Sequence, residues 1–166
     1  SWNRPYATWF NKGKLNACEN CIDVHLKDKL NKTAIIWESE DGHVRELSYK
    51  ELSKKVNQFA NALEQEIKLK KGDRVTIYMP LVPEAVIAML ACSRIGAIHS
   101  VVFGGFSAPS LAERINDSNS SCLITAYDAN RRGKKVPLKT IVNEALKTVS
   151  NKSISIITLN SESKTN

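Results

Sequence analysis

Ile98-His99-Ser100-Val101-Val102-Phe103-Gly104-Gly105-Phe106-Ser107 decides the fold. Six largely apolar residues end at a glycine pair, and Leu111, Ala112 and Ile115 then recur at helical spacing, so the stretch reads as strand, tight turn, helix. Just upstream, Lys71-Gly72-Asp73 turns the chain into a short strand at Arg74 to Tyr78. Pro83 and Glu84 then suit the first turn of a helix running to Ile95, which Gly96 can end. Downstream the alternation continues, with a strand at Cys122 to Ala126, a helix at Leu138 to Val149 turning Ile141, Val142, Ala145 and Leu146 inward, and a strand at Ile154 to Leu159. Strands separated by helices predict an α/β fold, a mostly parallel sheet with helices on both faces.

Before this core, Thr33 to Trp37 and Val44 to Ser48 flank Asp41-Gly42 and predict a hairpin. Ser48 and Glu51 form a capping box for a helix whose apolar face is Leu52, Val56, Phe59, Ala60, Leu63 and Ile67. The first 20 residues carry Trp2, Tyr6, Trp9 and Phe10 without periodicity and read as an extended arm that packs its aromatics onto the body. The expected organisation is an N-terminal arm at 1–30, an α/β unit at 31–160 and a truncated polar tail at 161–166.

The 166 residues carry 24 Lys+Arg against 17 Asp+Glu, a net +7 that invites an anionic partner. The lysines are scattered near acids, and the one dense cluster, Arg131-Arg132-Gly133-Lys134-Lys135, is too short for a nucleic-acid tail. The longest apolar runs, such as Ala85 to Cys92, cannot span a bilayer, so neither nucleic acid nor membrane is expected as a partner. With nothing signal-like near the N-terminus, a cytoplasmic location is expected. Cys18 and Cys21 form a C-x-x-C, read as chance spacing because a zinc site lacks its remaining ligands, and Cys92 reads as a core residue. No metal site is expected, and His99, set in an apolar strand, reads as a satisfied core histidine.

Ligands of such sheets gather where the strands end, which singles out two loops. Phe103 to Ser107 is either a tight turn or a surface where glycines let a ligand approach the backbone. Tyr127 to Lys135, with Arg131, Lys134 and Lys135 around Gly133, is either a solvated loop or a phosphate-ester site. No catalytic nucleophile and base are visible.

At these loops the sequence is recognisable. Tyr78-Met79-Pro80, Pro83-Glu84-Ala85-Val86, Ala88 to Cys92 and Arg94 to Ser107 closely resemble the AMP-forming acetyl-CoA synthetases of the adenylate-forming enzyme family. Trp9-Phe10 with Leu15-Asn16, Asn20-Cys21 with Asp23 and His25-Leu26, Thr33 to Glu38, Phe59-Ala60-Asn61, Lys71-Gly72-Asp73 and Val136 to Lys139 extend the likeness to about Leu146. The resemblance implies ATP, acetate and CoA as substrates with Mg2+, a first step giving acetyl-adenylate and pyrophosphate, and a second giving acetyl-CoA and AMP. It implies no catalytic residue in these 166 residues, because the family's phosphate loop, adenine and acetate pockets and C-terminal lysine have no counterpart here. The expectation is an N-terminal portion of the large domain, inactive alone, whose final strand leaves an exposed edge.

By the same resemblance, Arg131, Arg132, Gly133 and Lys134 correspond to contacts with the nucleotide end of CoA, where the 3′-phosphate needs positive charge. Phe103, Gly104 and Gly105 correspond to a turn lining that site. Lys134 stands where the family usually has arginine, replacing a planar fork with a point charge. Two alternatives stay open: a propionyl-CoA synthetase of the same family, and a non-catalytic CoA- or nucleotide-binding module. The oligomeric state is not readable.

Overall fold

The computed structural model describes residues 2–160, so the tail expected at 161–166 lies outside the described residues. A two-residue ribbon, β1 (Trp2–Asn3) and β2 (Tyr6–Ala7), leads to α1 (Ala17–Cys21), a 3-10 turn (Asp23–His25) and α2 (Leu26–Lys29). The hairpin β3 (Thr33–Glu38) and β4 (Val44–Ser48) precedes α3 (Tyr49–Gln65). Then follow β5 (Arg74–Met79), α4 (Pro83–Ile95), β6 (Ile98–Phe103), α5 (Ala108–Ser118) and β7 (Cys122–Ala126). A second small hairpin, β8 (Ala129–Arg131) and β9 (Lys134–Val136), leads to α6 (Leu138–Thr148) and β10 (Ser155–Leu159).

Four strands form the central sheet in the order β10-β7-β5-β6, all parallel. The chain moves from β5 to β6, then steps back past β5 to β7 and on to β10. Strand alternation sorts the core accordingly. Val75, Ile77, Met79, Cys122 and Ile124 meet Leu52, Val56, Ala60 and Leu63 of α3 and Ile87, Ala88 and Ala91 of α4. Tyr78, Val102 and Leu123 meet Leu111, Ala112 and Ile115 of α5 and Leu138, Val142 and Ala145 of α6. Helices therefore cover both faces, as the apolar continuity of the strands predicts. The Ser48–Glu51 capping box is formed in full, and Gly96 ends α4 at φ 74°.

The N-terminal segment departs from the expected extended arm. Tyr6, Trp9 and Phe10 are exposed rather than packed. Residues 17–29 fold locally because Asn16 caps α1, its side chain accepting from the amides of Cys18 and Glu19. The same side chain donates to the carbonyls of Ser93 and Arg94 at the end of α4, while Arg94 forks onto Asp23 at 2.8 and 3.0 Å. Cys18 and Ile22 are thereby buried.

The last strand is an exposed sheet edge, as expected, and the opposite edge is barer still. On the last strand, Ile156 and Leu159 are 38% and 37% exposed, whereas Ile98, Val101 and Phe103 of β6, the opposite edge, reach 57%, 58% and 56%. That places the largest bare apolar strand beside the glycine turn.

Candidate functional site

The loops after β5, β6 and β7 meet at one end of the sheet. Tyr78, fully buried, sends its hydroxyl through the layer to donate to the carbonyls of Phe106 at 2.9 Å and Gly104 at 3.3 Å. Burial raises the phenol's pKa above its ordinary value, which keeps it a donor. Gly104 lies so close to the end of β5 that a Cβ there would stand 3.3 Å from the Met79 carbonyl.

Gly105 is tight for a different reason. A Cβ would come within 2.5 Å of both the Arg131 guanidinium and the Phe103 ring. The guanidinium lies 5.1 Å from the centre of that ring, and Phe103 meets Phe106 edge-on at 6.0 Å. Arg114 completes the row, 4.7 Å from Phe106. Phe103, Gly105 and Arg131, two segments apart in sequence, thus form one surface, partly exposed and cationic at its rim.

The segment expected as a loop is a hairpin. Arg132 and Gly133 occupy its two central positions at φ 52° and 70°, the left-handed pair that a two-residue connection requires. Arg131 and Lys134 are cross-strand partners, so their side chains leave the ribbon on the same face. Lys135 leaves on the other face and pairs with Asp128 at 3.3 Å. The structure therefore brings Arg131 and Lys134 together, sets Arg132 at the apex, and separates Lys135 from them.

Sequence reasoning missed Glu40. From the turn between β3 and β4 its carboxylate accepts from the amides of Arg132 at 2.8 Å and Gly133 at 3.2 Å. These bonds hold its carboxyl below the ordinary glutamate range, that from Arg132 first. The contact joins residues 92 apart and leaves no local signal.

Other candidates fall away from this surface. His99 is half-buried, and desolvation lowers its pKa; no ring hydrogen bond is found among the described residues, so it is not the satisfied core histidine expected. Cys18 is buried, Cys21 exposed, and neither is in a disulfide. Burial pushes the thiols of Cys92 and Cys122 up to about 12. Among the described residues there is no group of three or more His, Cys, Asp or Glu placed to hold a metal ion, and no helix is long and apolar enough to cross a membrane. A separate cleft of about 390 Å3 opens over the α3/α4 face between Phe59, Met79, Ile124 and Leu159. It is mostly apolar, and its acid, Glu84, is taken by Arg45 at 2.8 Å.

The profile of the AMP-binding enzyme family matches residues 22–166. The chain belongs to this family. An acetyl-coenzyme A synthetase of Parvibaculum lavamentivorans is 58% identical over 140 residues, which is 84% of this chain and 22% of that protein. An acetyl-coenzyme A synthetase of Laribacter hongkongensis is 56% identical over 142 residues, 86% of this chain and 22% of that protein. The chain thus spans about a fifth of the length of the AMP-binding enzymes it matches. Among solved structures, an acetoacetyl-CoA synthetase from Streptomyces lividans superposes with a TM-score of 0.85 over 95% of this chain and 26% of the other, at 24% identity. That likeness shows the fold alone.

Proposed function

We propose that this chain supplies the CoA-recognition part of an acetate–CoA ligase. In the complete enzyme a carboxylate oxygen of acetate attacks the α-phosphorus of ATP and expels pyrophosphate. The CoA thiol, losing its proton, then attacks the carbonyl of acetyl-adenylate and expels AMP. The observation that carries this reading is the single surface made by Phe103, Gly105 and Arg131, with Lys134 on the same face of the hairpin. A cation over an exposed aromatic ring, with a second cation on the same face of the hairpin, suits a phosphate on a nucleotide, the chemistry at the 3′-phosphate end of CoA. Relatives that are acetyl-coenzyme A synthetases support acetate as the acid.

Arg131 is the principal phosphate contact in this reading and Lys134 the second, a point charge that attracts without imposing bidentate geometry. Arg132 adds charge at the apex, Gly133 permits the turn, and Gly104 and Gly105 keep the floor low. Adenylation, and the Mg2+ that accompanies ATP, are assigned to parts of the complete enzyme that these 166 residues do not carry, and the isolated chain is expected to have no ligase activity. Residues 31–160 are then one α/β unit of a larger domain, preceded by the segment 1–30. The enzyme acts in the cytoplasm on small molecules, without a nucleic-acid or membrane partner.

Acetate- and propionate-dependent ATP/pyrophosphate exchange by the product of the complete open reading frame tests the assignment. Exchange with acetate is expected. A strong preference for propionate would move the protein to the alternative acid, and failure with both would remove short-chain acyl activation altogether. A reading frame that closes after Asn166 would favour a non-catalytic CoA-binding module.

A further inference from the structure

We infer that Glu40 is a positioning residue for CoA, holding the hairpin that presents Arg131 and Lys134. The inference rests on the proposed CoA reading and extends it to a residue in a different element. Strands β8 and β9 have three residues each and pair only with one another, and a ribbon of that size does not hold its shape alone. Its apex also contains a non-glycine residue, Arg132, in the left-handed region, a conformation disfavoured for L side chains. Something outside the ribbon must keep it in place.

Glu40 is built for that task. Each carboxylate oxygen takes one apex amide, so the N–H groups of Arg132 and Gly133 are both satisfied by one side chain. Consecutive amides of this kind form a concavity for an anion, and here the chain fills it with its own. The loop carrying Glu40 is itself braced: Ser39 bonds the Asp41 carboxylate through its hydroxyl, and accepts from the amide of His43 at 3.0 Å. Behind the loop, β3 and β4 are fixed to the body by the Trp37 indole donating to the Leu81 carbonyl at 2.7 Å and by the Arg45–Glu84 pair. An unbroken series of contacts therefore runs from the start of α4 through β3 and β4 to Glu40, and from there to the apex beside Arg131.

Glu40 is bonded to the apex amides and not to the Arg131 or Lys134 side chains, although its carboxylate lies within electrostatic reach of Arg131 and Arg132, so its role is assigned through the hairpin. The test uses the product of the complete open reading frame with Glu40→Ala, Glu40→Asp and, as a separate arm, Arg131→Ala. Glu40→Ala should raise the KM for CoA by about three- to tenfold. The maximal rate at saturating CoA and the acetate-dependent pyrophosphate exchange should stay within about twofold, and Glu40→Asp should recover part of the CoA affinity. Hydrogen exchange of the peptide spanning residues 129–136 should accelerate in Glu40→Ala.

An unchanged CoA KM in Glu40→Ala, alongside a raised one in Arg131→Ala, overturns the positioning role while sparing the CoA reading. A lowered KM also overturns it, showing that the carboxylate competes with CoA for the apex amides. If Arg131→Ala has no effect on CoA, the CoA reading fails, and the exchange rates then decide alone whether Glu40 holds the hairpin. Unchanged exchange in Glu40→Ala overturns the tether in every case.

Discussion

Replacing Gly105 with alanine separates the candidate site from the fold. The new methyl would sit 2.5 Å from the Arg131 guanidinium and 2.5 Å from the Phe103 ring. Ordinary contacts between such atoms are about 3.5–4.0 Å, so both groups must retreat by about 1 Å. Both are ends of flexible side chains, and Gly105 is not in the left-handed region, so the backbone accepts alanine without strain. Fewer unfolded conformations stabilise the variant by about 0.4–1 kcal/mol, and the disturbed cation–ring contact costs about 0.5–1 kcal/mol. The net change in stability is near zero. Displacing Arg131, the proposed phosphate contact, by about 1 Å should by contrast weaken CoA by about tenfold, or about 1.4 kcal/mol. Denaturant unfolding of the chain and CoA titration of the complete enzyme read the two effects. A loss of more than about 2 kcal/mol in stability, or an unchanged CoA requirement, would refute the reasoning.

Four further outcomes follow from the same structure. Tyr78→Phe keeps the buried ring but removes the donor shared by the Gly104 and Phe106 carbonyls, and should cost about 1–2 kcal/mol in denaturant unfolding. Leu123→Ala empties a fully buried position between β7 and the α5/α6 layer and should cost about 2–5 kcal/mol by the same measurement. Asn16→Ala removes the α1 cap and its two bonds to the end of α4; about 1–2 kcal/mol should be lost, with faster hydrogen exchange across residues 17–29. His99 has its pKa lowered by burial, so below the ordinary value of 6.5 the unfolded chain binds a proton that the folded chain resists. Stability should therefore be full above that value and fall as pH drops toward the folded pKa, and His99→Gln should flatten this slope in pH-dependent unfolding.

The α/β alternation was legible because it is written locally. Ser48 and Glu51 satisfy each other's amides three residues apart, Pro83 starts a helix and Gly96 ends it, and odd and even positions of β5 face opposite layers. The short N-terminal helices were not, because four or five residues carry no period and their stability comes from Asn16 and Asp23 reaching α4 more than 70 residues away. The site was half legible. Phe103 to Gly105 and Arg131 to Lys134 carry composition and a family resemblance, yet nothing in Arg132-Gly133 announces a two-residue hairpin turn, since arginine is a poor candidate for positive φ. Glu40 was invisible for the plainest reason: its partners are 92 and 93 residues distant and are backbone amides, which every residue has.

Arg131 is proposed to recognise the 3′-phosphate of CoA. The most direct test measures binding of CoA and of dephospho-CoA, which lacks only that phosphate, to the complete enzyme and to its Arg131→Ala variant. The native enzyme should distinguish the two ligands by about tenfold or more, and Arg131→Ala should remove most of that difference by weakening CoA alone. An equal preference for CoA in both proteins would contradict that role.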